Sequence, residues 1–374
     1  GKIEIGKNEL QLTLPPKTQK IFENPLDLSK IQESSFDAFV DIKVSVTRNK
    51  AGRGGYFQVE IIPNANSDAL KDITKDTLFL IDHSTSISPQ KLNQFKAATR
   101  ESLAYLNPAD RFNVVAFTST THAFADEYQN VNKESLKKAD KFVASLWRGG
   151  MTDVFGGVAP YVRKSNGDRN RPLNIFLLTD GKSTVNIYEA PTFLRQINAL
   201  NPGNVSIFPF SAGRQANRQL LDFLGYLNRG GRCHVDELAE LQNELVTFIS
   251  THSSLIIMDL NYTAEGEVSS EIFPRSLPHL YRNEALKLYG RFNSLNDELI
   301  LTLNGKDADL NVRDLVFRKK YADCPPAGEE LPGIWAGQKI LYLISQRNYT
   351  DNQELVRQYN AAINALIREY GVYN

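Results

Sequence analysis

Two apolar runs that each end near an aspartate constrain the fold more than any other feature of this sequence. Residues 78–81 read LFLI and precede Asp82, and residues 174–178 read NIFLL and precede Thr179 and Asp180. Short apolar runs without polar alternation are typical of strands buried on both faces of a parallel sheet. Polar residues just past such strands lie where open α/β sheets bind ligands. The sequence therefore predicts an α/β domain with a polar site at one sheet edge.

The segment from 73 to 250 alternates predicted strands with predicted helices. This pattern predicts a doubly wound, mostly parallel sheet of six strands with helices on both faces. The predicted strands are 77–81, 112–117, 122–127, 174–178, 204–210 and 233–235. A short turn after the second strand predicts a hairpin with one antiparallel edge strand. A helix is predicted over 89–106, with Ser88 as its cap and Pro89 in its first turn.

Outside this segment the apolar period changes to two, as in 36–44 and 298–303. Neither flank has enough strands for a core of its own, so we expect one β-sandwich built from both flanks, with the α/β domain inserted. A C-terminal helix with one apolar face, ended by Gly371, should dock on the sandwich or on a segment beyond residue 374. The predicted organisation is 1–72 (N-terminal segment and first sandwich strands), 73–250 (α/β domain), 251–325 (remaining sandwich strands) and 326–374 (helical tail).

The loop after the first apolar run reads D-x-S-x-S, formed by Asp82, Ser84 and Ser86. A carboxylate and two hydroxyls on alternate residues can converge on one small, hard cation, because Mg²⁺ prefers oxygen ligands. Serine-rich loops after strands also often do no more than cap the next helix. Two later pieces favour the metal site, since Thr152 lies on a glycine-rich loop and Asp180 follows the second apolar run.

These three pieces, in this order, resemble the von Willebrand factor type A domain and its metal-ion-dependent adhesion site. The resemblance implies that Mg²⁺, or alternatively Mn²⁺ or Ca²⁺, is held by Asp82, Ser84, Ser86, Thr152 and Asp180. It also implies that an Asp or Glu of a protein partner completes the metal's shell, with Thr152 reaching the metal directly when that partner is engaged and otherwise through water. This chain departs from the family pattern at Thr85, where Gly is usual, and at Met151, inserted between the paired glycines and Thr152.

Segments on both sides of the domain resemble the inter-alpha-trypsin inhibitor heavy chain group. They are 54–63, 213–221, 273–281, 331–336 and 369–372. Heavy chains of that group can be joined to hyaluronan through an Asp-Pro site, and the sequence contains no Asp-Pro dipeptide, so that activity is not implied. The resemblance also implies an extracellular, periplasmic or cell-surface location. Gly1 in place of a methionine suggests a processed or partial chain, so a missing targeting signal says little.

Composition and motifs disfavour several other functions. Lys plus Arg and Asp plus Glu are 43 each, so no net charge attracts nucleic acid or an anionic membrane. No apolar run approaches the length of a membrane span. The sequence contains no G-x-S-x-G, no G-x-x-x-x-G-K-[ST] and no H-E-x-x-H, so we expect no enzymatic activity. Cys233 and Cys324 can form one disulfide or stay free, and we expect free thiols.

The predicted function is metal-dependent, non-covalent protein binding or adhesion. The contact rim is expected at His83, Thr120, Asp153 and Lys182. Asp153 can orient a metal-bound water or cap the helix that begins at Val154, and the cap is favoured. The alternative function is a structural or assembly role, in which the metal only stabilises loops while the sandwich and tail do the binding. A third hypothesis, hydrolysis by metal-activated water, is disfavoured.

Overall fold

The computed structural model describes most of the chain. The described residues are 3–6, 9–12, 39–49, 54–64, 70–165, 170–187, 189–265 and 271–372. Most of the stretch 1–35, and residues 36–38 at the start of a predicted sandwich strand, lie outside this set.

The strands and helices follow one another along the chain as predicted for an α/β unit between two β-rich flanks. The strands are β1 (Ile3–Gly6), β2 (Glu9–Leu12), β3 (Val40–Arg48), β4 (Gly55–Pro63), β5 (Asp76–Asp82), β6 (Arg111–Phe117), β7 (Thr121–Ala123), β8 (Gln129–Asn130), β9 (Leu173–Leu178), β10 (Val205–Ala212), β11 (Cys233–Val235), β12 (Leu255–Ala264), β13 (Leu280–Tyr281), β14 (Leu286–Phe292), β15 (Glu298–Lys306) and β16 (Val312–Lys320). The helices are α1 (Pro89–Ser102), α2 (Lys133–Ser145), α3 (Val154–Lys164), α4 (Ala190–Leu200), α5 (Arg218–Leu227), α6 (Leu241–Thr251), α7 (Leu331–Asn348) and α8 (Gln353–Tyr370).

Within the described residues, a seven-stranded sheet forms the centre of the α/β unit. Its order is β11-β10-β9-β5-β6-β7, and β8 also pairs with β6. The first five of these strands are parallel, whereas β7 and β8 run antiparallel to β6. Leu78 and Leu80 of β5 pack in one cluster with α3, α4 and α5, while Phe79 and Ile81 pack in another with α1, α2 and α6. Helices therefore cover both faces, and the α/β prediction is confirmed.

The edge of this sheet differs from the prediction. The expected strand over 122–127 ends at Ala123, and a separate strand, β8, makes the sheet seven-stranded instead of six-stranded. Asn113 explains the break, because its Nδ2 donates to the Ala125 carbonyl at 2.7 Å and its Oδ1 accepts the Val114 N–H at 2.8 Å. The Asn113 side chain thus forms hydrogen bonds that backbone groups would form in a regular strand ladder. The predicted antiparallel hairpin itself is present.

Helix α1 begins where the sequence predicts and ends earlier. Ser88 caps it by accepting the Lys91 N–H at 3.2 Å, and Pro89 occupies the first turn. The helix ends at Ser102 and continues as a 3-10 turn over Leu103–Tyr105, so the predicted end at 106 is wrong.

Strand β5 lies where the strand order reverses, between β6 on one side and β9 on the other. Ile81 of β5 is in register with Leu178 of β9, and Asp82 with Phe117 of β6. The loops after β5 and β9 therefore leave the same sheet edge side by side. Crevices of this kind, at the carboxyl ends of strands where the order reverses, are where open α/β sheets bind ligands.

Besides the antiparallel pair of β1 and β2, two further sheets lie outside the α/β unit. Over the described residues, one has the order β13-β12-β15-β16 and the other β14-β4-β3. Upstream β4 pairs with downstream β14 along its length, from Ile61 opposite Leu286 to Gly55 opposite Phe292. One apolar cluster contains side chains of both sheets, such as Val59, Leu288 and Leu301. Both flanks therefore contribute to the same core, as the sandwich prediction requires.

Helices α7 and α8 pack against each other and against the rest of the chain. The apolar face predicted for α8 buries Tyr359, Ile363 and Leu366, and Gly371 ends the helix with φ 64°. These side chains share a cluster with α3, α4 and α5 of the α/β unit. The helical pair thus docks on the α/β unit and also, as predicted, on the β14-β4-β3 sheet, because Tyr56 of β4 belongs to the same cluster and its hydroxyl lies 2.6 Å from that of Tyr370.

Trp335 of α7 also joins the helical pair to a β-sheet. Its indole is fully buried, and Nε1 donates to the Glu271 carbonyl at 2.8 Å. The ring centroid lies 5.4 Å from that of Tyr56 on β4 and 5.7 Å from that of Tyr370 on α8. A buried aromatic cluster of this kind adds stability beyond the area it removes from water.

Both cysteines are free thiols, Cys233 half-buried and Cys324 buried. None of the helices in the described part of the chain has the length and apolar character needed to cross a membrane.

Candidate metal centre

Asp82 lies at the carboxyl end of β5 and is completely buried. Its Oδ1 accepts the Ser84 backbone N–H at 3.0 Å, and its Oδ2 accepts the Thr179 hydroxyl at 2.7 Å. Thr179 directly follows the neighbouring strand β9. These two hydrogen bonds fix the carboxylate between the loops that follow β5 and β9.

Three hydroxyls form a connected cluster beside this carboxylate. Ser84 Oγ lies 3.0 Å from Ser86 Oγ, and Thr152 Oγ1 donates to Ser84 Oγ at 2.7 Å. Ser84 and Thr152 are buried, whereas Ser86 is exposed. The structure therefore brings together four of the five predicted ligands from two separate loops.

Asp180, the fifth predicted ligand, follows Thr179 and is also buried. Its Oδ1 accepts the Lys182 N–H at 3.1 Å, and its carbonyl accepts the Asn217 N–H at 2.8 Å. Its charge acts on Asp82, so the two carboxylates lie within electrostatic reach of each other. Asn217 caps α5, so the start of that helix holds the Asp180 loop in place.

The two carboxylates create a local excess of negative charge. The pKa of Asp82 is raised to about 6, mainly by burial and also by the charge of Asp180, against hydrogen bonds from Thr179 and Ser84 that lower it. Burial lowers the pKa of the nearby Lys91 ammonium, and the charges of Asp180 and Asp82 partly oppose that effect. A cation among these oxygens would compensate the buried charge.

The donor set fits a hard divalent cation. It consists of two carboxylates and three hydroxyls, and oxygen ligands of this kind are those that Mg²⁺ and Ca²⁺ take. No group of three or more His, Cys, Asp or Glu side chains suited to a metal occurs among the described residues.

Backbone hydrogen bonds join the glycine-rich loop to the D-x-S-x-S loop. Gly149 donates to the His83 carbonyl at 2.9 Å, and Thr85 donates to the Gly150 carbonyl at 3.1 Å. Gly150 has φ +82°, and a Cβ there would lie 3.1 Å from the Thr118 side chain, so this turn requires glycine. The turn leaves Met151 exposed and directs Thr152 inward, which accommodates the inserted residue.

Thr152 is also fixed from the opposite side, by the loop after Asp180. Its N–H donates to Thr184 Oγ1 at 2.9 Å, and its carbonyl accepts the Thr184 N–H at 2.8 Å. All three ligand loops are therefore connected by protein contacts alone.

The four residues expected on the contact rim have different environments. Thr120 and Lys182 are exposed, as a rim position requires. Asp153 is buried and accepts the Gly156 N–H at 2.8 Å, so it is the cap of α3 that the sequence favoured. His83 is 6% exposed, its Nδ1 lies 2.7 Å from the Trp147 carbonyl oxygen, and burial lowers its pKa. Its ring thus lies under the loop and not on the surface.

Sequence reasoning missed the roles of two residues in this region. Thr179 is visible in the sequence only as part of a motif, although its hydroxyl holds Asp82. Trp147 was not predicted on the rim, although its side chain is 73% exposed beside the glycine-rich loop. The signal for Thr179 was its position at the end of the strand next to β5. For Trp147, the signal was a large aromatic residue just before paired glycines.

Comparison with known proteins identifies the central part of the chain. Residues 76–248 match the model of the von Willebrand factor type A domain. The human inter-alpha-trypsin inhibitor heavy chain H4 is 25% identical over 297 residues, which are 75% of this chain and 31% of that protein. The chain thus spans about a third of the length of this relative.

Two solved structures share the fold over more than this central part. The von Willebrand factor type A protein from Catenulispora acidiphila has a TM-score of 0.60 at 15% identity and covers 89% of this chain and 87% of its own. The ArnB paralog VWA2 from Sulfolobus acidocaldarius has a TM-score of 0.53 at 16% identity, with 89% and 90% covered. Their likeness therefore extends to the flanking β-sheets or helices.

Proposed function

Residues 76–248 are a von Willebrand factor type A domain, and from this premise we propose that the chain binds a protein partner through a divalent cation. The proposed ligands are Asp82, Ser84, Ser86, Thr152 and Asp180. A bound cation, Mg²⁺ or alternatively Mn²⁺ or Ca²⁺, would supply the positive charge that attracts an Asp or Glu of the partner. The proposed role is adhesion or protein–protein interaction, without enzymatic activity.

The convergence of hydroxyls on a buried carboxylate carries this proposal. Ser86, Ser84 and Thr152 are linked oxygen to oxygen, at 3.0 and 2.7 Å, although Thr152 lies 66 positions beyond Ser86 in the chain. A cap of α1 requires none of these contacts, since Ser88 already caps that helix. The arrangement is therefore more than the helix-capping alternative needs.

Charge also favours an open position for an external carboxylate. Only two of the five proposed ligands, Asp82 and Asp180, are anionic, so a divalent cation keeps part of its attraction for a further anion. A cation with a purely structural role would be bound more tightly by a more anionic ligand set, as in high-affinity calcium sites.

The connected loops argue against a cation that only stabilises them. Gly149 and Gly150 bond to the D-x-S-x-S loop, and Thr152 bonds to Thr184 beyond Asp180. Because protein contacts already hold the three loops together, a bound cation is not needed to stabilise their arrangement. The assembly role, in which the sandwich and tail do the binding, remains the second candidate because those regions make up more than half of the chain.

We further propose an extracellular, periplasmic or cell-surface location, on the resemblance to inter-alpha-trypsin inhibitor heavy chains. The proposed organisation keeps 73–250 as the partner-binding domain, inserted between the sandwich parts 1–72 and 251–325, with 326–374 as a helical tail. Neither nucleic acid nor a membrane is a proposed partner, given the equal numbers of acidic and basic residues.

Calorimetric titration with Mg²⁺ and Mn²⁺ tests the metal site. Asp82→Ala and Asp180→Ala should each abolish cation binding and leave the circular dichroism spectrum unchanged, because each removes an anionic ligand from a loop. Asp126→Ala is the matched control, since Asp126 is an exposed carboxylate outside the proposed ligand set. If both ligand variants titrate like the parent protein, the cation site lies elsewhere or does not exist.

A further inference from the structure

We propose that the partner carries a large apolar side chain within about three residues of its carboxylate, and that Trp147 and Met151 receive this side chain. This inference rests on the proposed function, because the carboxylate is the one that approaches Asp82 and its neighbouring ligands. It adds a second point of recognition and so restricts the partner's sequence.

Two large apolar side chains on the glycine-rich loop before Thr152 are unusually exposed. Trp147 is 73% exposed and Met151 is 57% exposed, and these are the two highest values for large apolar side chains among the described residues. Both lie within the five positions that precede Thr152. Large aromatic and methionine side chains that remain exposed next to a polar site are typical of contact surfaces.

The backbone of Trp147 and one side of its ring contact the ligand loops. Its carbonyl oxygen lies 2.7 Å from His83 Nδ1, and the two rings meet edge to face with centroids 6.4 Å apart. The indole also lies over Gly149, where an added Cβ would come within 2.5 Å of the ring. An aromatic side chain restricted by such contacts loses less conformational entropy on binding than an unrestricted one.

The charges that face solvent on the three ligand loops favour an acidic partner. The carboxylates of Asp82, Asp153 and Asp180 are buried, whereas Arg148 and Lys182 are exposed; Glu189, also exposed, lies at the far end of the loop after β9, next to α4. Arg148 donates to the Thr85 carbonyl at 2.9 Å, which keeps its guanidinium at the D-x-S-x-S loop. Two exposed positive groups thus lie on the ligand loops close in sequence to Thr152 and Asp180, and these would raise the rate at which a carboxylate associates.

The spacing follows from the distance between the two contact points. His83 is adjacent to both Asp82 and Ser84 in the chain, and its ring touches that of Trp147. The Trp147 ring is therefore separated from the backbone of the D-x-S-x-S loop by one histidine side chain and a ring-to-ring contact of 6.4 Å. An extended partner advances about 3.3 Å per residue, so about three residues bridge this gap.

A random-peptide phage library tests the inference while the partner is still unidentified. The library is bound to the immobilised protein in Mg²⁺ and eluted with EDTA. We expect the enriched peptides to contain Asp or Glu with Phe, Trp, Leu or Met within three positions. Trp147→Ala should lower the recovery of these phages about tenfold, the usual scale for a buried aromatic anchor, while calorimetric Mg²⁺ affinity stays unchanged.

Two further variants make the test specific. Tyr105→Ala removes an exposed aromatic side chain near the opposite edge of the sheet and should recover phages like the parent protein. Gly149→Ala keeps the backbone N–H but displaces the indole, so it should lower recovery without altering any proposed ligand.

Each outcome has one meaning. Enriched peptides that are acidic but lack an apolar preference, or equal recovery by Trp147→Ala and the parent protein, overturn the two-point inference and leave the proposed function standing. Recovery that EDTA does not release contradicts the proposed function itself, and the two-point inference with it.

Discussion

Replacing Thr152 by valine distinguishes a cation that binds a partner from one that only braces loops. Valine has nearly the shape of threonine but lacks the hydroxyl, which here donates to Ser84 Oγ at 2.7 Å. The backbone of Thr152 keeps its two hydrogen bonds with Thr184, at 2.9 and 2.8 Å. The loop should therefore keep its position, and the substitution should act on the hydroxyl alone.

The expected magnitudes follow from that single contact. A hydroxyl hydrogen bond contributes about 0.5–1.5 kcal/mol net, so the free energy of unfolding should fall by no more than about 1.5 kcal/mol. Metal affinity should fall about two- to tenfold, because one neutral oxygen is lost while both carboxylates remain. If Thr152 reaches the metal directly only in the partner-bound arrangement, partner affinity should fall at least tenfold further.

Calorimetry with Mn²⁺ measures the first affinity, and EDTA-released phage recovery measures the second. Thr85→Val is the matched control, because the Thr85 hydroxyl belongs to the same loop, donates to the Gly150 carbonyl at 3.0 Å and is not a proposed ligand. A bracing cation predicts a larger loss of metal affinity than of partner binding. Equal losses in both measurements, or no loss in either, would refute the adhesion mechanism.

Three further predictions concern the fold. Lys75→Met should lower the free energy of unfolding in urea by about 3–5 kcal/mol, because it leaves the fully buried Asp110 carboxylate without its cation, and adding Asp110→Leu should restore part of the loss. His279 is completely buried, burial holds its pKa well below the usual value, and its Nδ1 accepts a backbone N–H of β12 at 3.1 Å, so it is uncharged when folded. Unfolded histidine gains a proton below about pH 6.5, so stability should fall as the pH drops through that value, and His279→Gln should show a smaller fall in a pH series of urea midpoints. The fragment 73–374 lacks β4 and should aggregate in size-exclusion chromatography because the edge of β14 is exposed, whereas 73–250 should fold alone; a soluble, monomeric 73–374 would contradict the shared sandwich.

The features predicted well from sequence are those fixed by neighbours along the chain. The apolar run before Asp82 needs only its own residues to indicate a buried strand, and the Ser88-Pro89 pair needs only its own position to start α1. Asp82 and Asp180 could be placed together because both follow strands of one parallel sheet. Gly371 was recognisable as a stop because a left-handed residue commonly ends a helix.

The features that sequence reasoning missed depend on contacts between distant segments. The break after β7 comes from the Asn113 side chain, which bonds across to Ala125. Helix α8 was expected on the sandwich or on a segment beyond residue 374; Tyr370 does meet Tyr56 of β4, but the same apolar cluster also contains helices of the α/β unit, which was not predicted. An amphipathic pattern indicates that a helix buries one face, but it does not indicate which surface that face meets.

Local geometry predicts the direction of the His83 side chain but not its environment. Successive residues of an extended loop point in opposite directions, so a residue between two ligands points away from them. That argument is consistent with the His83 Nδ1, which lies 2.7 Å from the Trp147 carbonyl oxygen. It could not decide between solvent and protein on the other side, because the glycine-rich loop that covers His83 comes from 64 positions later in the chain.

Thr152 marks the limit of prediction from the motif. Asp82 and Asp180 are positioned by adjacent strands, but Thr152 lies on a loop before α3, and no strand end fixes it. Its hydroxyl reaches Ser84 because Gly150 takes a left-handed conformation and because Thr184 holds the backbone of Thr152 from the other side. The inserted Met151 changes the spacing of the family motif without moving the hydroxyl out of reach, since the extra side chain turns outward to solvent. The turn at Gly150 thus both directs the Thr152 hydroxyl toward Ser84 and exposes Met151, which is proposed to meet the partner. We therefore expect the spacing of the motif and the choice of partner to change together.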